Sequence, residues 1–374
     1  MRIMITGGGT GGHTSPAAAV IEELRRRDPR LLMQWVGKKG GMEERVAGRY
    51  SVPFRSIPVE GWTRSKSPRM LLTALKLAWS VFRVWFYLKV FRPQLVFGVG
   101  GYVSLPAVWA AQRMGIHTVL HEQNKRLGLA NRVCANKATQ VLLSFPDTVG
   151  AFPAEKAAVV GNPVRAAFLT PPEQAQAREA LGLSPDMPVV LVIGGSQGAR
   201  RINEAMSEVV HAFAHDEVQF IWGAGKQEAI QMRLRAEKAS APTQVHAFIE
   251  DMAAACAAAD LIVSRAGAST TAELAVMGKP SILIPYPYAA DNHQEHNARA
   301  FESAGAAVVL LDKDCTGERL GELLRQLLSE PSRLAAMGDA AKPLARPEAA
   351  EAIAERIIEL VYADAEEQSV KNGP

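Results

Sequence analysis

Cysteine is nearly absent from this chain: Cys134, Cys256 and Cys315 are the three among 374 residues. They are far apart, odd in number and form no Cys-x-x-Cys pair. That excludes a disulfide frame or a cysteine metal site and leaves buried apolar thiols in a reducing compartment. Charge of one sign is also scarce. The 42 Lys and Arg against 38 Asp and Glu leave a net +4, and no RNA- or DNA-binding motif accompanies it, so nucleic acid is not an expected partner. Uninterrupted apolar runs are short, because Lys76 and Arg83 break the one candidate well below the ~18 residues of a membrane span. A glycine turn beginning at Gly7 leaves no room for a secretory leader before the first strand, so the expectation is a chain that stays in the cytosol. No Gly-Lys-Ser/Thr follows those glycines, which excludes a P-loop.

The rest of the composition, 48% hydrophobic and 21% charged, is that of a globular protein too long for one core. Short apolar strands alternate with amphipathic helices, the pattern of a parallel sheet covered on both faces. Strands are expected at Ile3–Ile5, Leu31–Val36, Leu95–Phe97, Thr118–His121, Val141–Leu143, Val159–Val160 and Val189–Ile193, and a helix over Pro16–Arg27. Four strands end in glycine-rich turns: Gly7-Gly8-Gly9-Thr10-Gly11-Gly12-His13, Gly98-Val99-Gly100-Gly101-Tyr102, Gly194-Gly195-Ser196-Gln197-Gly198-Ala199, and Arg265-Ala266-Gly267-Ala268-Ser269. Each half carries two such units in the same order. This predicts two similar doubly wound α/β domains, facing one another with a ligand in the cleft between them. Boundaries fall at 1–164 and 165–346, with a last helix over 347–362 returning to the first domain and a frayed tail over 363–374.

A strand, a glycine turn and a helix start make a cradle for an anionic ligand, because glycine admits close approach and the helix start offers unpaired N–H groups. Gly7-x-Gly9-x-x-Gly12 formally matches the dinucleotide fingerprint. The second strand ends in Lys38 and Lys39 rather than an acidic residue, so an NADP-dependent oxidoreductase stands as the alternative. The second half points to a nucleotide sugar. Ser196 and the helix start at Ala268–Thr271 suit a diphosphate. Glu273, one turn into that helix, suits a ribose diol. The loop Asp291-Asn292-His293-Gln294 suits sugar hydroxyls. His13, which exchanges a proton near neutrality, is the candidate general base, and Glu122 is a second candidate acid or base. Asp312-Lys313-Asp314 reads as an ordinary turn, and no essential metal or cofactor is expected. Between Arg69 and Lys89 a narrow polar stripe faces a broad apolar one that includes Leu75, Trp79, Phe82 and Trp85, flanked by Arg64, Lys66, Lys89 and Arg92. This is a helix partly packed on the sheet and partly resting on an anionic membrane surface.

Eight motifs in register resemble the bacterial undecaprenyl-diphospho-muramoylpentapeptide β-N-acetylglucosaminyltransferase family over residues 1–362. They are Gly8–His13, Gly98–Ser104, His121-Glu122-Gln123-Asn124, Gly161-Asn162-Pro163-Val164-Arg165, Gly194–Ala199, Phe248–Met252, Arg265–Glu273 and Asp291–Ala298. The resemblance implies a GT-B fold of two Rossmann-like domains. It implies inverting transfer of N-acetylglucosamine from UDP-GlcNAc to the C4 hydroxyl of lipid I, giving lipid II, at the cytoplasmic face of the membrane. It also implies UDP-GlcNAc contacts by Thr10, Gly11, Gly12, Asn124, Arg165, Ser196, Ile249, Ala268, Ser269, Thr270, Thr271, Ala272, Glu273 and Gln294. Other cell-wall synthesis proteins are implied partners. Ser269, where a leucine is frequent, and His293, where a second glutamine is frequent, depart from the pattern.

Overall fold

The structure is a computed structural model that describes residues 1–61, 69–195, 198–289 and 292–371. The chain divides into two compact units, Met1–Arg165 with Arg346–Pro374, and Ala166–Ala345.

The first unit is built on seven strands: β1 Arg2–Thr6, β2 Leu32–Lys38, β3 Phe54–Ile57, β4 Leu95–Gly98, β5 His117–Glu122, β6 Gln140–Leu143 and β7 Ala157–Val159. All pair in parallel in the order β3-β2-β1-β4-β5-β6-β7. Side chains alternate across a strand, and here both faces are apolar because both are covered. Ile3, Ile5, Trp35 and Phe97 pack with Val20, Ile21 and Leu24 and with Ile353, Ile357 and Val361. On the other face Met4, Val36 and Val96 meet Val84, Leu88 and Val108. The helices that follow the first strands are α1 Gly11–Arg27, α2 Met42–Arg49, α3 Arg69–Phe91 and α4 Leu105–Arg113.

Two expectations need correction. Helix α1 begins at Gly11 rather than Pro16, which places His13 inside its first turn. The closing helix spans Ala349–Lys371, so residues 363–371, expected as tail, are helical. The stretch after Tyr362 is rich in alanine and glutamate, strong helix formers, and has neither Gly nor Pro before Gly373. The helix is fastened to α1 by Tyr362, whose hydroxyl donates to Asp28 over 2.8 Å.

The second unit has six strands: β8 Val189–Ile193, β9 Gln219–Gly223, β10 Thr243–His246, β11 Leu261–Ser264, β12 Ser281–Leu283 and β13 Ala307–Val309. Its order, β10-β9-β8-β11-β12-β13, repeats the succession of the first sheet, again all parallel. Val190, Val192, Phe220, Trp222 and Val263 form its core with Ile202, Met206 and Val209. In each unit the strand order reverses beside the first strand, between β1 and β4 and between β8 and β11. Such a sheet binds its ligand outside the carboxyl ends at that point. The four glycine turns stand there.

Candidate active site

In the first unit the turns after β1 and β4 interlock. A Cβ on Gly7 would stand 2.3 Å from Val99 Cγ2, and one on Gly101 would stand 2.4 Å from the Gly8 carbonyl oxygen. Both positions also have positive φ, +141° and +75°, so no other residue fits there without displacing the partner turn. The His13 ring lies against Gly100 and Gly101, and the Tyr102 ring against Gly9. Burial pushes the Tyr102 phenol above its usual range, and the nearby Glu43 and Glu60 charges add to it.

Beneath the turn lies Glu43, fully buried and absent from the sequence-based site. Its carboxylate accepts from the backbone N–H of Gly9 over 3.2 Å and from that of Lys38 over 2.9 Å. A Cβ on Gly8 would stand 2.4 Å from the carboxylate. The Glu43 side chain therefore fills the glycine turn where a dinucleotide would place its pyrophosphate and takes the Gly9 N–H for itself, which counts against the NADP alternative. The signal in the sequence was Gly40-Gly41-Met42-Glu43, an acid delivered by a helix start just after β2.

His13 Nδ1 lies 3.0 Å from Gln123 Oε1. Gln123 Nε2 in turn lies 3.0 Å from the Val99 carbonyl and 2.9 Å from His121 Nδ1, and His121 Nε2 is 3.0 Å from the Gly161 carbonyl. Complete burial pushes the His121 pKa down to about 4, against the opposing effect of the Gly161 hydrogen bond. Glu122 is also sealed. Its Oε1 accepts from the backbone and side-chain nitrogens of Asn124, and its Oε2 from the Gly128 N–H and Asn131 Nδ2, all at 2.9–3.1 Å. Thr10 is the exposed N-cap of α1, with Gly11, Gly12 and His13 in the first turn. One network thus joins His13, His121 and Gln123, next to Glu122 and Asn124. Arg165 ends the unit, half-buried.

In the second unit Ser196 lies outside the described residues. The helix Ala268–Val276 starts immediately after β11 with Gly267 as N-cap, so the first-turn N–H groups of Ala268, Ser269 and Thr270 have no carbonyl of their own helix to bind. Thr271 Oγ1 donates back to the Ala268 carbonyl over 3.1 Å, which turns its hydroxyl into the helix. Ala272 and Glu273 follow, half-buried. Asn297 donates to the Ala266 carbonyl over 3.1 Å and ties the helix His293–Ser303 to the same turn. On that helix Gln294 accepts the Tyr286 N–H over 3.0 Å through Oε1. Ile249 is buried against Gly223 at the end of β9. Asp312 forms a 2.6 Å ion pair with Arg265 in a short helical turn, so this part of the Asp-Lys-Asp run is engaged with the chain itself.

Helix α3 divides into two stripes. Thr73, Ser80, Val84 and Leu88 are buried, and Tyr87 donates to the Ser56 carbonyl of β3 over 3.1 Å. The other stripe, Leu71, Leu72, Leu75, Trp79, Phe82, Trp85, Phe86 and Val90, is 44–68% exposed. Leu71–Phe91 is long and apolar enough to cross a membrane by length and composition, contrary to the expectation from Lys76 and Arg83. Its buried stripe is nonetheless committed to the first unit. Trp85 carries Lys89 over its ring at 4.6 Å.

Comparison with known proteins gives both units counterparts. The glycosyltransferase family 28 N-terminal domain matches residues 3–143, and the family's C-terminal domain matches residues 189–356. A Desulforudis audaxviator protein named UDP-N-acetylglucosamine–N-acetylmuramyl-(pentapeptide) pyrophosphoryl-undecaprenol N-acetylglucosamine transferase is 41% identical over 368 residues, covering 96% of this chain and 98% of its own. A Halalkalibacterium halodurans protein of the same name is 38% identical over 353 residues, covering 94% and 97%. The crystal structure of Acinetobacter baumannii MurG superposes with a TM-score of 0.74 at 30% identity, over 96% of this chain and 99% of that one. A UDP-GlcNAc 2-epimerase from Neisseria meningitidis, at 14% identity and a TM-score of 0.67 over 96% and 100%, shares the fold.

Proposed function

The chain belongs to glycosyltransferase family 28, and from that membership we propose that it transfers N-acetylglucosamine from UDP-GlcNAc to the C4 hydroxyl of the muramoyl sugar of lipid I, forming lipid II. The observation that carries this is identity near 40% over almost the whole of proteins named for that transfer. The transfer proceeds with inversion. The acceptor oxygen attacks the anomeric carbon, the bond from that carbon to the UDP oxygen breaks with its electron pair leaving on UDP, and the hydroxyl proton passes to a base.

His13 is that base, through Nε2, which has no hydrogen-bond partner among the described residues. Glu122, with four N–H donors on its carboxylate, is instead the anchor that holds Asn124 and the loop to Asn131. In the second unit the start of the helix at Ala268–Thr271, with Ser196, receives the diphosphate, and its N–H groups and dipole stabilise the charge that develops on leaving UDP. Glu273 binds the ribose, the Ile249 backbone the uracil, and Gln294 the sugar. Thr10, Gly11, Gly12, Asn124 and Arg165 are kept as further contacts of the nucleotide sugar. No step assigned here uses a metal.

The acceptor is lipid-linked, so the protein works in association with a membrane. The exposed stripe of α3 is the surface we assign to it, with Leu75, Trp79, Phe82 and Trp85 in the interface and Lys89 and Arg92 toward anionic headgroups, while Arg64 and Lys66 lie outside the described residues. Contact is peripheral, at the cytoplasmic face. Incubation of the purified protein with UDP-GlcNAc, NADPH and a short-chain lipid I analogue tests the proposal. UDP release with a product heavier by one N-acetylglucosamine is expected, whereas NADPH consumption without UDP would overturn it.

A further inference from the structure

Gln123 is 1% exposed and is held in a single orientation. Its Nε2 lies 3.0 Å from the Val99 carbonyl, 3.4 Å from the His121 carbonyl and 2.9 Å from His121 Nδ1. Backbone carbonyls only accept, so the group between them is the NH2, and the amide oxygen is the atom that faces His13 at 3.0 Å. An amide oxygen carries no proton, so that contact is a hydrogen bond only when His13 Nδ1 is protonated. The far end of the chain agrees. His121 Nε2 lies 3.0 Å from the Gly161 carbonyl and 3.4 Å from Ser144 Oγ. It donates there, which leaves His121 Nδ1 to accept the second Gln123 N–H. Backbone carbonyls at Val99 and Gly161 thus fix the direction of every hydrogen bond between them.

We propose that Gln123 is a positioning residue that holds His13 as the Nδ1–H tautomer, so that the lone pair of the neutral ring stands on Nε2. The consequence for the transfer rests on the reading of His13 as general base. Which ring nitrogen is basic is set by the hydrogen bond that the other one makes. A ring turned over would put carbon against Gln123 Oε1, and the ring lies close to Gly100 and Gly101. Without the amide, the Nε2–H tautomer that a free histidine side chain prefers becomes accessible, and that form has no lone pair to offer the acceptor hydroxyl from Nε2. Histidine tautomer control by a buried acceptor is worth large factors where it has been dissected.

The experiment is nitrogen NMR on the full chain labelled in histidine, with the His13 signals identified by their loss in His13→Ala. Wild-type His13 should show a protonated Nδ1 and a pyridine-like Nε2 at a pH where the ring is neutral. A protonated Nε2 with a bare Nδ1 would overturn the proposal. Gln123→Leu should restore the Nε2–H form and lower kcat on UDP-GlcNAc and the lipid I analogue by about 10- to 100-fold, with KM for UDP-GlcNAc within about twofold. Gln123→Glu still accepts from Nδ1. It should keep the wild-type tautomer and exceed the Leu variant in kcat by about fivefold or more, measured where the ring is neutral. Wild-type kcat in Gln123→Leu, with His13→Ala inactive, would overturn the positioning role and leave the base intact. Activity retained in His13→Ala would overturn the base role and leave the tautomer to the spectrum. If the Leu variant does not fold, the wild-type spectrum and the Glu variant still decide.

Discussion

At the scale of residues, two histidines linked through one amide have different exposure and different work. His13 is half-exposed in the first turn of α1, and His121 is sealed on β5. Replacing His13 by alanine should lower kcat by at least ~10², with UDP-GlcNAc binding nearly kept, because general-base help is worth about that much. A loss below tenfold in steady-state assays would remove it from the base role. His121 affects stability instead. Its folded pKa of about 4 lies below the ~6.5 of an unfolded histidine. Between those values the unfolded chain binds a proton that the folded chain refuses. Its contribution, on the order of 3 kcal/mol, is therefore complete above pH ~6.5 and is lost as the pH falls toward 4. Urea midpoints at pH 7 and pH 5 should differ more for the wild type than for His121→Gln, and equal differences would mean that His121 titrates normally. His13 was legible in the sequence because a histidine at the end of a glycine turn is conspicuous. Glu43 and Gln123 were not, because their importance lies in contacts across 34 and 110 positions of chain.

Legibility of the elements followed the regularity of their burial only in part. The buried strand β8, all apolar and followed by a glycine turn, has the bounds expected for it. The edge strands β3, β10 and β13 escaped notice, as short segments with mixed burial that the parallel ladder rather than their composition makes into strands, and β9 escaped notice although it is buried. Helix α3 shows the converse limit. Its pattern revealed both a polar and an apolar stripe but not how the apolar residues divide. Packing uses Val84 and Leu88, and leaves Trp79, Phe82 and Trp85 in solvent. A contiguous exposed apolar stripe is what the proposed membrane contact requires. Replacing Phe82 and Trp85 together by serine should release the protein from anionic vesicles in a flotation assay, while turnover on a short-chain soluble acceptor stays near wild type. Vesicle binding that does not change would assign those rings to another contact.

At the scale of the whole molecule, the repeated strand order makes each unit a separate ligand-binding scaffold with its own core. The repeat was readable because both halves place two glycine turns at corresponding strand ends. The division of labour proposed above is not readable from the glycines alone, since Gly7–Gly9 and Gly194–Gly198 look alike as sequence. What sets the first turn apart is Glu43, which fills it with an internal carboxylate. UDP, the part of the donor assigned to the second unit, should therefore stabilise that unit selectively. At a hundredfold excess over Kd a ligand that binds only the folded form contributes about 2.7 kcal/mol, which is about a hundredfold slower exchange in amides that open with the region it holds. Hydrogen exchange with saturating UDP should slow along β11 and the helix Ala268–Val276. Exchange in β1 and Gly7–Gly9 should stay within about twofold of the free protein, since the diphosphate, ribose and uracil contacts proposed above all lie in the second unit. Slowing centred on Gly7–His13 would return the nucleotide to the first turn and overturn the assignment of the diphosphate to the Ala268 helix.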